Sequence, residues 1–182
     1  MFSQKKLNLG CGHKILPGWI NHDLAPLPGV DVTHDLTKFP WPWENGEFDE
    51  ISMKDVLEHL PDTTKTLEEI YRIMKTGAKC LISVPYWNSW EAITDPTHVR
   101  QFHELSFDFF DPTKWRCQDR EYYTKARFYI KKIDYYIAPF GPYFVIRYIK
   151  ISNKYLKRIF AVLASYFNNI IVRLDFHLKR AD

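Results

Sequence analysis

Cysteine is scarce in this chain: the three present, Cys11, Cys80 and Cys117, are odd in number and unrelated in spacing. That argues against both a disulfide framework and a Cys-x-x-Cys metal site, and a reducing compartment fits best. Long apolar runs are missing too. No window approaches the roughly 18 uninterrupted apolar residues of a membrane span, and Met1 to Lys6 lacks the apolar core of a signal peptide, so a cytoplasmic location is expected. Finally, the third glycine of a dinucleotide fingerprint is absent, since Gly10 and Gly12 are followed by Ile15. A phosphate-cradling helix start is therefore not indicated.

What is present is a chain of 182 residues, 46% hydrophobic and 16% aromatic, enough to bury a sizeable core. A single domain over residues 1–182 is expected. Charge is unevenly spread: residues 1–100 hold 10 Lys and Arg against 14 Asp and Glu, and residues 101–182 hold 15 against 8. An anionic partner would meet the second part.

The apolar run Leu7-Asn8-Leu9 breaking at Gly10-Cys11-Gly12 reads as a buried first strand ending in a tight turn. Only His13 to Gly18 separates that turn from a second strand, Trp19 to Asp23, and Leu24 to Gly29 separates this from a third stretch, Val30 to Asp35. Six residues can return to the start of a parallel strand only when extended, so two crossover helices are expected to be missing. Trp41 and Trp43 read as a hydrophobic plug, with an adenine stack as the other reading. Phe48 to Met53 reads as a strand. Asp62 caps a helix with the stripe Leu67, Ile70, Tyr71 and Met74, with Glu68 paired to Arg72 and Gly77 as the stop. Ala78 to Val84 is a buried strand, a short helix is expected near Leu105 to Phe110, and Phe128 to Ile137 and Ile170 to Leu178 read as later strands.

Leu7 to Gly12, the acids Asp23 and Asp35, Phe48-Asp49-Glu50-Ile51, Val56-Leu57-Glu58-His59-Leu60, Arg72 to Gly77 and Ile82-Ser83-Val84-Pro85 occur in an order that resembles a class I S-adenosylmethionine-dependent methyltransferase. Asp95-Pro96-Thr97-His98 running into Ser106-Phe107-Asp108 is similar to small methyltransferase-domain proteins associated with polysaccharide synthesis. The resemblance implies an α/β fold: a Rossmann-like, mostly parallel sheet with a closing antiparallel strand, short first crossovers and a helical insert before the last strand. It implies S-adenosylmethionine as cofactor, held by Asn8, Gly10, Cys11, Gly12, Asp23, Asp35, Leu36 and Asp55. Asp23 would accept the ribose hydroxyls and Asp35 the adenine amino group. Asn8 departs from the family, where an acid is usual.

Transfer to an oxygen needs a base, and Asp95, His98 and His103 are the candidates, because loops at the carboxyl ends of the strands build such sites. Their spacing does not establish a metal site, and none is expected. His59 is a further residue that could touch substrate or cofactor. The expected acceptor is a small molecule or glycan. A non-catalytic module that has lost turnover is the alternative, and a nucleic-acid methyltransferase is disfavoured because the Arg and Lys are not interleaved with site aromatics. Residues 141–169 contain no acid, and Arg147, Lys150, Lys154, Lys157 and Arg158 recur at helical spacing opposite Val145, Ile149, Leu156, Ile159, Phe160, Leu163 and Phe167. The apolar stripe of this insert would cover the bare sheet, meet a second copy in a homodimer, or lie on an anionic membrane.

Overall fold

The computed structural model describes residues 4–139, 141 and 148–182. Its elements in chain order are β1 (Lys6–Leu9), β2 (Ile20–Asp23), β3 (Val32–Thr33), β4 (Phe48–Lys54), α1 (Thr63–Ile73), β5 (Met74–Pro85), α2 (Trp90–Thr94), α3 (Trp115–Asp119), β6 (Phe128–Ile137), β7 (Ile149–Ile151), α4 (Lys154–Ala164) and β8 (Arg173–Arg180). One eight-stranded sheet has the order β3-β2-β1-β4-β5-β8-β6-β7. The first five strands pair in parallel and the other three antiparallel, so that β7 joins the two later strands that were expected.

No helix joins β1 to β2 or β2 to β3. Two buried amides take over the fastening. Asn8 Nδ2 donates to Lys14 O and to Asn21 Oδ1, each at 3.0 Å, while Leu16 N–H donates to Asn21 Oδ1 at 2.9 Å. On the next link, Asn21 N–H donates to Asp31 Oδ2 at 2.7 Å. Backbone groups that a helix would have satisfied internally are thus met by side chains.

Asp62 caps α1 as expected, its Oδ1 accepting from Lys65 N–H at 2.9 Å. Two details differ. Arg72 pairs with Glu69 one turn back, at 2.7 Å, whereas Glu68 accepts from Thr124. Met74 already belongs to β5, and Gly77 lies within that strand at φ 74°, because the apolar stripe of α1 runs into the sheet without a polar break. Trp41 and Trp43 are buried in the core with ring centroids 6.1 Å apart, and Trp41 Nε1 donates to Leu36 O. They form the plug.

The stretch 141–169 is not one helix. Val145 and Arg147 lie outside the described residues, Ile149 and Lys150 are on β7, and α4 begins only at Lys154, capped by Asn153. Extended β7 breaks the helical spacing of the basic residues. Phe160, Ala161 and Ala164 pack inward, Lys157 donates to Ile133 O at 2.6 Å, and Leu156, Ile159, Val162 and Leu163 face outward beside Lys154 and Arg158. Of the described residues of the expected apolar stripe, Phe160 packs on the core while Ile149, Leu156, Ile159, Leu163 and Phe167 are exposed. No helix among the described residues is long and apolar enough to cross a membrane.

Candidate functional site

Parallel strands deliver their following loops to one edge, and a ligand is met there. At the carboxyl ends of β1, β2 and β4 lies a cavity of about 430 Å³ lined by Gly10, Gly12, Asp23, Asp35, Leu36, Asp55 and residues from the neighbouring turns. That is the size of a small-molecule site. A larger hollow, about 540 Å³, lies apart from this edge against Glu68, Tyr71 and residues 121–126.

The two glycines do different things. Gly10 has φ +63°, and a Cβ there would come within 2.2 Å of Val56 Cγ2, so its close neighbour is the protein itself. Gly12 has φ +51° and only open space where its Cβ would be. Its N–H donates to Asp23 Oδ2 at 2.7 Å, and Ala25 N–H donates to Oδ1 at 3.1 Å, which fixes that carboxylate at the end of β2. Asp35 lies two residues beyond β3, its Oδ1 accepting from the Thr37 N–H and hydroxyl; the hydroxyl bond, then the amide, holds its carboxyl below the usual range. Asp55, at φ 58°, pairs with Arg173 Nη1 at 2.6 Å and Lys14 Nζ at 3.4 Å.

Two of the cofactor candidates do not reach the cavity. Asn8 is spent on the β1–β2 link. Cys11 is buried, with its thiol pushed up chiefly by desolvation, and it shapes the turn through its N–H bond to His22 O at 2.8 Å. His22, Leu24, His34, Thr37, Val56, His59 and Leu60 complete the lining. His22 is a structural group: Gly10 N–H donates to its Nδ1 and its Nε2 meets His34 O at 3.0 Å, and burial lowers its pKa.

The acceptor-side candidates are separated by the fold. The turn of 3-10 helix at Leu57–His59 receives the loop after α2, because Glu58 O accepts from both Val99 N–H and Arg100 N–H at 2.9 and 3.1 Å. This places the His98 ring 4.6 Å from that of His59, and His98 Nε2 3.9 Å from Glu58 Oε1 and from Asp95 Oδ2. Thr97 Oγ1 bridges Asp95 Oδ1 at 2.6 Å and His59 Nδ1 at 2.9 Å. The Thr97 hydroxyl, then its amide, holds the Asp95 carboxyl below the usual range. His103 is not in this cluster. Its ring lies beside Tyr86, centroids 5.7 Å apart, and its Nδ1 is 3.2 Å from Glu104 Oε2.

Glu58 is the residue that sequence reasoning passed over. It is 1% exposed, neither carboxylate oxygen has a hydrogen-bond partner, and desolvation raises its pKa to about 7. The signal was available in Val56-Leu57-Glu58-His59-Leu60, where a Glu-His pair stands inside an apolar run. Beyond it, Arg173 at the start of β8 ties Asp55 to Glu91 of α2, with Nη2 3.3 Å from Glu91 Oε2.

Solved structures with the same fold include a SAM-dependent methyltransferase from Archaeoglobus fulgidus, 17% identical over 98% of this chain and 87% of that one, with a TM-score of 0.61. A possible histamine N-methyltransferase from Thermotoga maritima is 12% identical over 97% and 82%, with a TM-score of 0.58. The complex of the Haloferax volcanii Trm112 methyltransferase activator with a methyltransferase partner is matched at 14% identity over 99% and 83%, with a TM-score of 0.59. Among curated proteins, none matches significantly. A family model described as a methyltransferase domain matches residues 3–130, most of the chain and all of the strands that line the cavity. By sequence as well as by fold, this chain belongs to the methyltransferase-domain family.

Proposed function

We propose that the protein transfers a methyl group from S-adenosylmethionine to an oxygen of a small-molecule or glycan acceptor. The observation that carries this reading is the cavity of about 430 Å³, which Gly12, Asp23, Asp35 and His59 line together. The structural neighbours named as SAM-dependent methyltransferases support the same cofactor. In this reading the open space at Gly12 admits the methionyl part, Asp23 accepts from the ribose hydroxyls and Asp35 from the adenine amino group.

Methyl transfer from a sulfonium is an in-line displacement, so most of the work is positioning. The acceptor oxygen forms its bond to the methyl carbon as the sulfur–carbon bond breaks, and S-adenosylhomocysteine leaves. The hydroxyl proton must also depart. Glu58, His59 and His98 are the groups placed to deal with it, since Asp95 is committed to Thr97 and His103 lies outside the cluster. Acceptors from surface polysaccharide assembly are the class that the small methyltransferase-domain resemblance suggests, with the protein working in the cytoplasm. Lys154 and Arg158 beside the outward Leu156, Ile159 and Val162 of α4 support contact with an anionic membrane over self-association, because the basic residues would repel a second copy.

Calorimetry tests the cofactor: micromolar binding of S-adenosylmethionine is expected, and its absence would favour a non-catalytic module. Asp23→Ala should weaken that binding by on the order of 2 kcal/mol, since buried ribose hydroxyls lose a charged acceptor. His98→Ala should lower turnover on the order of a hundredfold while leaving cofactor affinity within about twofold. A labelled-methyl assay against extracts of the source cell would find the acceptor. Co-sedimentation with anionic vesicles, lost at high salt, tests the role of α4.

A further inference from the structure

Glu58, His59 and His98 each offer one ligand atom, and the three atoms lie within 4.8 Å of one another. This is an unusual place for an unsatisfied carboxylate. Glu58 is 1% exposed, both its oxygens lack a hydrogen-bond donor, and Oε1 points toward His98 Nε2 at 3.9 Å. A buried carboxylate without partners is costly unless something positive completes it. Arg173, whose charge acts on Glu58, is already shared between Asp55 and Glu91.

The imidazoles are oriented from behind. His98 Nδ1 lies 3.2 Å from Ala92 O, which as an acceptor requires the proton on Nδ1 and leaves a lone pair on Nε2, the atom that faces Glu58. His59 is held through Nδ1 by Thr97 Oγ1, itself anchored on Asp95. Metal-binding histidines are characteristically fixed in this way by an acceptor on the second nitrogen. Two imidazoles and one carboxylate form a donor set suited to a borderline divalent ion, and three protein ligands leave a tetrahedral ion one open coordination position.

We propose that Glu58, His59 and His98 bind a divalent first-row transition-metal ion, of which Zn²⁺ fits the donor set, at the acceptor end of the cavity. Ligands about 2.0–2.1 Å from tetrahedral zinc stand roughly 3.4 Å apart, so the cluster closes around an ion by side-chain movements of under about 1.5 Å. Since His59 also lines the cavity, an ion there would face the bound acceptor. When bound it would supply Lewis acidity, lowering the pKa of an acceptor hydroxyl so that the proton leaves more readily. That role rests on the methyl-transfer reading; the binding itself does not.

The test is therefore made without cofactor or acceptor. The full chain is stripped with chelator and titrated with Co²⁺, a spectroscopic stand-in for zinc, followed by its visible ligand-field absorption and by competition with Zn²⁺. One equivalent with a dissociation constant in the micromolar range or tighter is expected, displaced by Zn²⁺. Glu58→Gln and His98→Ala should each weaken binding at least tenfold, with circular dichroism checking that each variant is folded. If one fails to fold, His59→Ala, on the cavity lining, carries the test. Stoichiometric binding that survives all the folded variants, that is abolished instead by His103→Ala, or that is absent from the wild type would overturn the assignment. Methyl transfer could then still stand on its cofactor affinity, so the two readings fail separately.

Discussion

Among the described residues, Asp134 and Glu58 are the carboxylates least exposed to solvent, and they are treated in opposite ways. Asp134 of β6 is 0% exposed and surrounded by donors: Lys132 at 2.8 Å, Lys150 at 2.7 Å and His177 at 3.0 Å. Burial pushes its pKa up, but the hydrogen bonds from Lys132, Lys150 and His177 outweigh it and the net direction is down. Glu58 sits at the parallel edge, as little exposed to solvent, and there desolvation prevails and its pKa rises to about 7. The difference separates a group used to hold the antiparallel strands together from one kept with its valence unspent. Buried charge is retained cheaply where partners complete it; where they are withheld, a function is the economical explanation.

The largest test of this contrast is stability against pH in chelator. For Glu58 the folded pKa lies above the ordinary value of 4.5, so its contribution is fully present below about pH 4.5 and is lost as pH rises through about 7. A rise of that size corresponds to on the order of 3 kcal/mol. Glu58→Gln should therefore raise the urea midpoint at pH 8 and leave it nearly unchanged at pH 5. Equal effects at both values would break the contrast.

Asp134→Asn should act in the other direction, costing about 2 kcal/mol at neutral pH, a figure reduced because its lysine partners remain partly exposed. Its folded pKa is depressed, so the stabilisation is present above the ordinary value of 3.8 and disappears as pH falls through the folded value. The variant and wild type should converge in acid denaturation. Smaller still is His177→Ala, expected to cost about 0.5 kcal/mol because its side chain is 39% exposed and both lysines remain. A larger loss in thermal unfolding would mean that His177, rather than the lysines, secures Asp134.

The parts of the fold readable from sequence were those decided by neighbours in the chain. Asp62 and the stripe after it marked α1, the run Phe128 to Ile137 matches β6, and the alternation from Ile171 to Leu178 marked β8. The two missing crossover helices followed from link length alone. Harder were features set by partners distant in sequence. His98 and Glu58 meet only because Val99 and Arg100 dock their N–H groups on Glu58 O, a pairing that no local pattern encodes. Asn8 looked like a substitute for a cofactor-binding acid, and nothing in its flanks disclosed that Asn21 would claim it. The basic spacing after position 147 suited a helix, yet pairing with β6 drew Ile149–Ile151 into the sheet.

The position of β8 has a consequence for how the molecule assembles. This strand, late in the chain, lies between β5 and β6, with Lys79 opposite Lys179 on one side and Phe128 opposite Arg180 on the other. Until it arrives, the cavity-bearing strands and the β6–β7 pair have no shared backbone ladder. Contacts that span so much sequence close slowly, because loop entropy must be lost before they form. A nascent chain would therefore hold its parallel half with β5 as an open edge, a hazard for association with other chains. Arg173 enters with the same strand, so the ion pairs that tie Asp55 to α2 are among the last interactions made, and the site is completed only when the sheet is.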